Sequence, residues 1–226
     1  MKPRNSVEQT QSCTRLTLEL IEHDERYSLE CEGRQIAAEH LGRPAEELME
    51  MICQPFRPAK QPRIIFLGLG FGHAVAAARR LLPQEKASFV IFPEAAILPE
   101  WITKCLPLDP LADEHDRVHI EELSPFRPIP AKYNNSQAVI MDLDHLEGLS
   151  PSGYKPTHPT SLANIYETLK VGGLLGVIGT RLDHSLKKQL QRSGFEVVYE
   201  FVPISETSKK SRTLYLARKG NYRSNQ

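Results

Sequence analysis

Residues 63–80, RIIFLGLGFGHAVAAARR, join a short apolar run to an alanine-rich stretch through a turn that contains three glycines. An uninterrupted apolar run of this length is typical of a strand that is buried on both faces of a parallel sheet. Gly68, Gly70 and Gly72 permit positive φ and let a ligand approach the main chain closely. The stretch therefore predicts a strand, a tight turn and a helix, with a ligand crevice at the carboxyl end of the strand.

The spacing of these glycines narrows the choice of ligand. It is Gly-x-Gly-x-Gly, and His73 stands where a dinucleotide-binding fingerprint needs its third small residue. This argues against a nicotinamide dinucleotide. A turn that serves only the fold, with nothing bound, is the alternative.

The chain beyond residue 60 alternates apolar runs with helical patterns. The apolar runs predict strands at 63–67, 87–92, 117–120, 137–144, 172–180, 195–203 and 212–219. Helical patterns follow the first, second, fourth and fifth of these strands, and Asp183 and Gly194 are suitable caps for the last helix. Such alternation predicts a doubly wound, mainly parallel α/β sheet. The last two strands have no helix between them, so we expect them to pair antiparallel at one edge.

The first 60 residues have a different rhythm. Apolar and polar residues alternate on both sides of a charged turn within residues 15–32, which predicts a β-hairpin. A short amphipathic helix begins near Pro44 and ends before Pro55, and a proline-rich linker follows. The pattern predicts two units, an N-terminal hairpin and helix over 1–60 and a ligand-binding domain over 61–226.

Composition limits the classes of partner. The 226 residues carry 28 basic and 28 acidic side chains, so net charge favours neither nucleic acid nor an anionic membrane. No apolar stretch is long enough to span a bilayer, and residues 1–10 lack the apolar core of a signal peptide. Four scattered cysteines favour a reduced, cytoplasmic setting without a zinc site, and we expect no metal.

Two carboxylates follow the fourth predicted strand of the sheet. Asp142 and Asp144 would lie at its carboxyl end, where ionised groups are poorly placed for packing but well placed to bind a cationic amine and accept its proton. The alternative is a pair of solvated aspartates, one of which caps a turn. His145 beside them is either a second proton carrier or, as we expect, a surface loop residue.

Several stretches together resemble the spermidine synthase-like proteins, the polyamine aminopropyltransferases of the class I S-adenosylmethionine-dependent methyltransferase fold. They are the N-terminal hairpin, GLGFG, MDLDHLEGL, LKVGGLLGV and the closing SGFEVVYE and RTLYLARK. The resemblance implies a Rossmann-like seven-stranded sheet in the order 3-2-1-4-5-7-6. It also implies aminopropyl transfer from decarboxylated S-adenosylmethionine to a polyamine, with Asp142 and Asp144 as catalytic residues. Gly68, Gly70, Gly72 and Glu94 would bind the cofactor, and a homodimer is left open.

Two positions depart from the family pattern. Pro93 stands where members have the acidic residue that binds the ribose, with Glu94 one step later, and Leu123 and Ser124 replace a Gly-Asp pair near the adenine. Two other functions therefore stay open. One is methyl transfer from S-adenosylmethionine itself, and the other is a non-catalytic relative that has lost its cofactor site.

Overall fold

A computed structural model describes residues 4–106, 109–150, 155–205 and 207–220, except for the side chain of Asp144. The N-terminal part forms an antiparallel sheet of four strands in the order β1-β2-β3-β4, followed by one helix. Their bounds are β1 Asn5–Gln11, β2 Thr17–His23, β3 Arg26–Cys31, β4 Arg34–Ala38 and α1 Arg43–Cys53.

A second sheet contains seven strands with helices between them. The strands are β5 Arg63–Leu67, β6 Ser88–Phe92, β7 Val118–Ile120, β8 Ser136–Asp142, β9 Leu169–Gly179, β10 Phe195–Pro203 and β11 Ser211–Lys219. The helices are α2 His73–Leu81, α3 Leu98–Cys105, α4 Leu143–Leu149, α5 Pro159–Thr168 and α6 His184–Arg192. The order β7-β6-β5-β8-β9-β11-β10 confirms the predicted 3-2-1-4-5-7-6. β11 pairs antiparallel with both β9 and β10, as predicted.

The two predicted units share one hydrophobic core. Leu18, Leu20 and Leu29 of the N-terminal sheet belong to the same buried cluster as the strands of the large sheet. Helix α1 packs on β9, where Gly176 leaves room for Leu48 and Ile52. The domain boundary near residue 60 and the homodimer both stay predictions.

The structure adds elements that the sequence did not predict. Only the hairpin of β2 and β3 was expected, because β1 is polar and exposed and shows no alternation. Residues 143–144 were predicted as the end of a strand and His145 as a loop residue, but residues 143–149 form α4. This helix packs against β4, where Gly148 leaves room for Ile36. These additions bring β4 and α4 to the carboxyl edge of the large sheet. Among the described residues, no helix is long and apolar enough to cross a membrane.

The glycine turn has the backbone that the sequence predicted. φ is +96° at Gly68, +55° at Gly70 and +76° at Gly72, a region that disfavours side chains with a Cβ. Space is also short at Gly72, because an added Cβ would lie 2.6 Å from Cγ of Pro110. Gly33, at +74°, has the same conformation with open space around it.

This pair separates the cost of backbone strain from the cost of a clash. We expect Gly33→Ala to lower the free energy of unfolding by about 1–2 kcal/mol, the cost of a left-handed conformation. Gly72→Ala should lose that amount and about 1–3 kcal/mol more, because the rigid Pro110 ring must move. Urea unfolding of both variants measures the difference. Equal losses would contradict the assigned contact with Pro110.

Candidate active site

The carboxylate of Glu94 lies against the glycine turn. Glu94 follows β6, the neighbour of β5, and it is completely buried. Both of its oxygens accept the N–H of Leu69 at 2.9 Å, and Oε1 also accepts the N–H of Gly70 at 3.3 Å. An added Cβ at Gly68 would lie 2.7 Å from Oε1. The side chain that was predicted to bind a cofactor thus faces the turn itself in this structure.

His145 is the partner of Glu94, and our expectation that it is a surface loop residue is wrong. It is buried in α4, and its Nε2 lies 2.8 Å from Oε1 of Glu94. The imidazole also stands in front of Gly70, where an added Cβ would lie 3.3 Å from Cε1 and Nδ1. The strand order explains the contact, since β6 and β8 flank β5 and the residues that follow them converge across its glycine turn.

The two charges stabilise each other. Burial alone raises the pKa of a carboxyl group, but at Glu94 the nearby His145 charge and the turn amides outweigh it, so the pKa is lowered. Burial likewise opposes protonation of His145, but the facing Glu94 and the nearby Asp142 raise its pKa above the ordinary value. Glu94 and His145 therefore form a buried ion pair.

Asp142 ends β8 and lies where the sequence predicted. It is partly buried, and its Oδ1 accepts the backbone N–H of His145 at 3.4 Å, so it caps the first turn of α4. Burial raises the pKa of Asp142, and the positive charges of His145 and Arg212 oppose that rise. Asp142 therefore makes the capping contact of the alternative interpretation, and its pKa is raised. Asp144 lies in α4, and its side chain is outside the described structure.

A cavity of about 150 Å³ joins the glycine turn to Asp142. Residues 35–38 of β4 form one wall, and Gly68, Gly70, Asp142 and His145 form the wall on the large sheet. The remaining polar side chains that line it are Gln35, His73 and Arg212. The volume lies below the ~300–1,000 Å³ of typical small-molecule sites.

His73 is a lining residue whose role the sequence did not indicate. Its Nε2 is buried and, within the described chain, has no hydrogen-bond partner. Burial lowers its pKa, although the backbone carbonyl of Glu39 and nearby carboxylates oppose the shift. His73 is therefore a neutral imidazole at pH 7, and its Nε2 has no hydrogen-bond partner among the described residues.

A second cavity, of about 140 Å³, lies on the other side of the end of β5. Leu67 lines both cavities, and the second is mainly apolar, with Phe126, Ile129, Leu146 and Ile165 in its walls. Asn164 of α5 fixes one wall, because its amide accepts the Ile129 N–H at 2.8 Å and donates to the Ile129 carbonyl at 3.3 Å. The apolar walls of this second cavity suit an apolar group, and its volume, like that of the first cavity, lies below the ~300–1,000 Å³ of typical small-molecule sites.

The positions that depart from the family pattern have structural contacts. Ser124 donates its hydroxyl to Sγ of Cys13 at 3.2 Å, and the Cys13 N–H donates to the backbone carbonyl of Glu94 at 2.8 Å. The turn before β2 therefore covers the ends of β6 and β7. Glu121 is bonded to the hydroxyl of Tyr133 and, at 3.0 Å, to Lys132. No group of three or more metal-binding side chains occurs within the described residues.

The ion pair predicts a pH window of stability. The contribution of Glu94 is complete above pH 4.5 and is lost as pH falls through its lowered pKa, and that of His145 is complete below pH 6.5 and is lost as pH rises through its raised pKa. Between pH 4.5 and pH 6.5 we expect His145→Gln to lower the free energy of unfolding by about 3–5 kcal/mol, since it leaves Glu94 charged and buried. The loss should shrink at about pH 9.

Urea unfolding at several pH values measures this effect. The double variant Glu94→Gln/His145→Gln is the control, because it removes both charges. Its stability should show neither the loss at low pH nor the loss at high pH that the ion pair causes. A loss in His145→Gln that is the same at about pH 6 and about pH 9 would contradict the ion pair.

Comparison with known proteins identifies structures that share this fold. No protein family model matches the chain, and no curated protein matches its sequence. The structure resembles a spermidine synthase in complex with the transition-state analogue AdoDATO, with a TM-score of 0.71, 15% identity, and coverage of 95% of this chain and 74% of that one. Spermidine synthase from Thermotoga maritima is similar with a TM-score of 0.68 and 15% identity, with coverage of 95% of this chain and 73% of that one.

A more distant similarity extends to methyltransferases. Precorrin-6y C5,15-methyltransferase from Geobacter metallireducens has a TM-score of 0.54 and 16% identity, with coverage of 76% of this chain and 88% of that one. Identities this low establish the fold and leave activity open. The chain thus has a spermidine synthase-like fold of the Rossmann-like, class I methyltransferase type.

Proposed function

We propose that this protein transfers an aminopropyl group from decarboxylated S-adenosylmethionine to a polyamine. The observation that carries the proposal is the position of Asp142, a partly buried carboxylate on the same cavity wall as Gly68 and Gly70. The similarity to spermidine synthases supports the proposal at the level of the fold. The chain's own residues supply the rest of the argument.

Asp142 has the chemistry that an attacking amine requires. Its carboxylate can hold an ammonium group by charge and can take the proton that the amine must lose. Burial raises its pKa, which makes the ionised form a stronger base at neutral pH. Its bond to the His145 N–H fixes the carboxylate at the end of β8. We propose that Asp144, two residues further along the chain in α4, assists in this role.

A cofactor must fit the glycine turn with the side chains of Glu94 and His145 in place. Glu94 and His145 fill the space in front of Gly68 and Gly70, so a nucleoside bound in the first cavity would meet the imidazole of His145 there, while the carboxylate of Glu94 stays buried. A ligand with a cationic sulfur and an ammonium group suits these surroundings, and the apolar second cavity suits its purine. When bound, the sulfonium nucleoside supplies a carbon that is activated for displacement, and Asp142 holds the amine and accepts its proton.

The test is Asp142→Asn. Asparagine is as good a helix cap as aspartate, so α4 should be retained. We expect affinity for methylthioadenosine to stay within about twofold of wild type. Formation of spermidine from putrescine, or of spermine from spermidine, should fall at least about 100-fold, because the proton acceptor is lost. Calorimetry measures the affinity, and chromatography measures the product.

Asp183→Asn is the matched control. Asp183 also caps a helix at the carboxyl edge of the sheet, where its Oδ1 accepts the N–H groups of Ser185 and Leu186, and it lies outside the first cavity. It should leave transfer unchanged. Equal losses in both variants would show that cap geometry, not proton transfer, is responsible. Parallel assays with S-adenosylmethionine measure methyl transfer to the same amines, and a faster methyl transfer would overturn the proposal.

A non-catalytic relative is the second candidate, and two observations favour it. The first cavity is small, and the turn that contains Cys13 covers the ends of β6 and β7 through its contacts with Glu94 and Ser124. If wild-type protein binds neither methylthioadenosine nor a sulfonium nucleoside at millimolar concentration, this candidate replaces aminopropyl transfer.

A further inference from the structure

The glycine turn already has an anion bound to its amides. Backbone N–H groups at the start of a helix attract anionic groups such as phosphates and carboxylates, because several donors converge there with the positive end of the helix dipole. In this chain the N–H groups of Leu69 and Gly70, just before α2, donate to the carboxylate of Glu94. The position that a ligand's anion would take is occupied by a side chain of the protein.

Several contacts hold this carboxylate in place. His145 lies 2.8 Å from it, and the backbone carbonyl of Glu94 accepts the N–H of Cys13 at 2.8 Å. The side chain has no exposed surface. Moving it away would leave an unpaired imidazolium and two unsatisfied amides in the interior, and each loss is costly. Glu94 is therefore a fixed part of the turn.

We infer that Glu94, held by His145, determines ligand specificity by serving as an internal anion that excludes carboxylate- and phosphate-bearing ligands from the glycine turn. Neutral or cationic ligands meet no such obstacle. A ligand carboxylate would find no free N–H of Leu69 or Gly70 to bind, because the buried carboxylate of Glu94 already accepts both.

The inference bears on the cofactor, and in that part it rests on the proposed function. S-adenosylmethionine carries a carboxylate, and its decarboxylated form does not. An internal anion at the turn therefore selects the decarboxylated form and disfavours methyl transfer. It also disfavours dinucleotides, which carry phosphates, independently of the glycine spacing.

The first experiment needs no cofactor. Glu94→Ala removes a methylene and a carboxylate, and acetate restores the same atoms. We expect the melting temperature of Glu94→Ala at about pH 6 to rise saturably with sodium acetate and not with sodium chloride at equal ionic strength. Wild-type protein should not respond to acetate beyond its response to chloride. If Glu94→Ala folds only with an additive, acetate should restore folding and chloride should not.

Two further variants make this experiment specific. Leu162→Ala is a matched control, because it truncates a completely buried side chain in an apolar setting and creates no anion site. It should lose stability without a response to acetate. Glu94→Ala/His145→Gln should respond less than Glu94→Ala. An acetate response in Glu94→Ala no larger than in wild type or Leu162→Ala would overturn the inference.

The second experiment measures selectivity with Glu94→Gln, which keeps the shape of the side chain and removes its charge. In wild type we expect methylthioadenosine, which is neutral, to bind at least tenfold more tightly than S-adenosylmethionine. Glu94→Gln should reduce that preference at least tenfold. An unchanged preference would overturn the inference. A wild type that binds neither nucleoside, together with rescue by acetate, would reject the proposed function and retain the internal anion.

Discussion

The carboxylate of Glu94 connects the parts of the molecule that form the candidate site. Glu94 follows β6, and its carboxylate accepts hydrogen bonds from the turn after β5 and faces His145 in α4. Its backbone carbonyl accepts an N–H from the turn before β2. A buried ionised group is tolerated only where its oxygens are fully partnered. The positions of the glycine turn, α4 and the N-terminal sheet therefore depend on one another through this group.

Charge around the first cavity is nearly balanced when the buried Glu94 next to it is included. Glu94 is matched by His145, and Asp142 is near the positive charges of His145 and Arg212. A balanced cavity attracts a polycation only weakly over distance. Recognition of an amine would then depend on direct contact with Asp142. The same balance, together with the small volume, also suits a protein that has kept the fold without the reaction.

The elements that were predicted correctly have local signals. Uninterrupted apolar runs indicated the parallel strands, and the absence of a helix before β11 indicated the antiparallel edge. Asp183 caps α6 as its position suggested, and Gly194 follows that helix with a φ of +94°. β1 and α4 have no comparable signal, because β1 is polar and exposed and α4 is seven residues long and contains Gly148. Tertiary contacts stabilise both.

The sequence by itself determined that Gly68, Gly70 and Asp142 would meet at one edge of the sheet, because the carboxyl ends of parallel strands lie on the same side. Only the tertiary structure decided the direction of Glu94 and the burial of His145. An acidic residue after a strand has the same sequence signal whether it faces a ligand or the amides of a neighbouring turn. The strand order could have indicated the pair, since β6 and β8 flank β5. The contact itself required α4, which packs His145 inward.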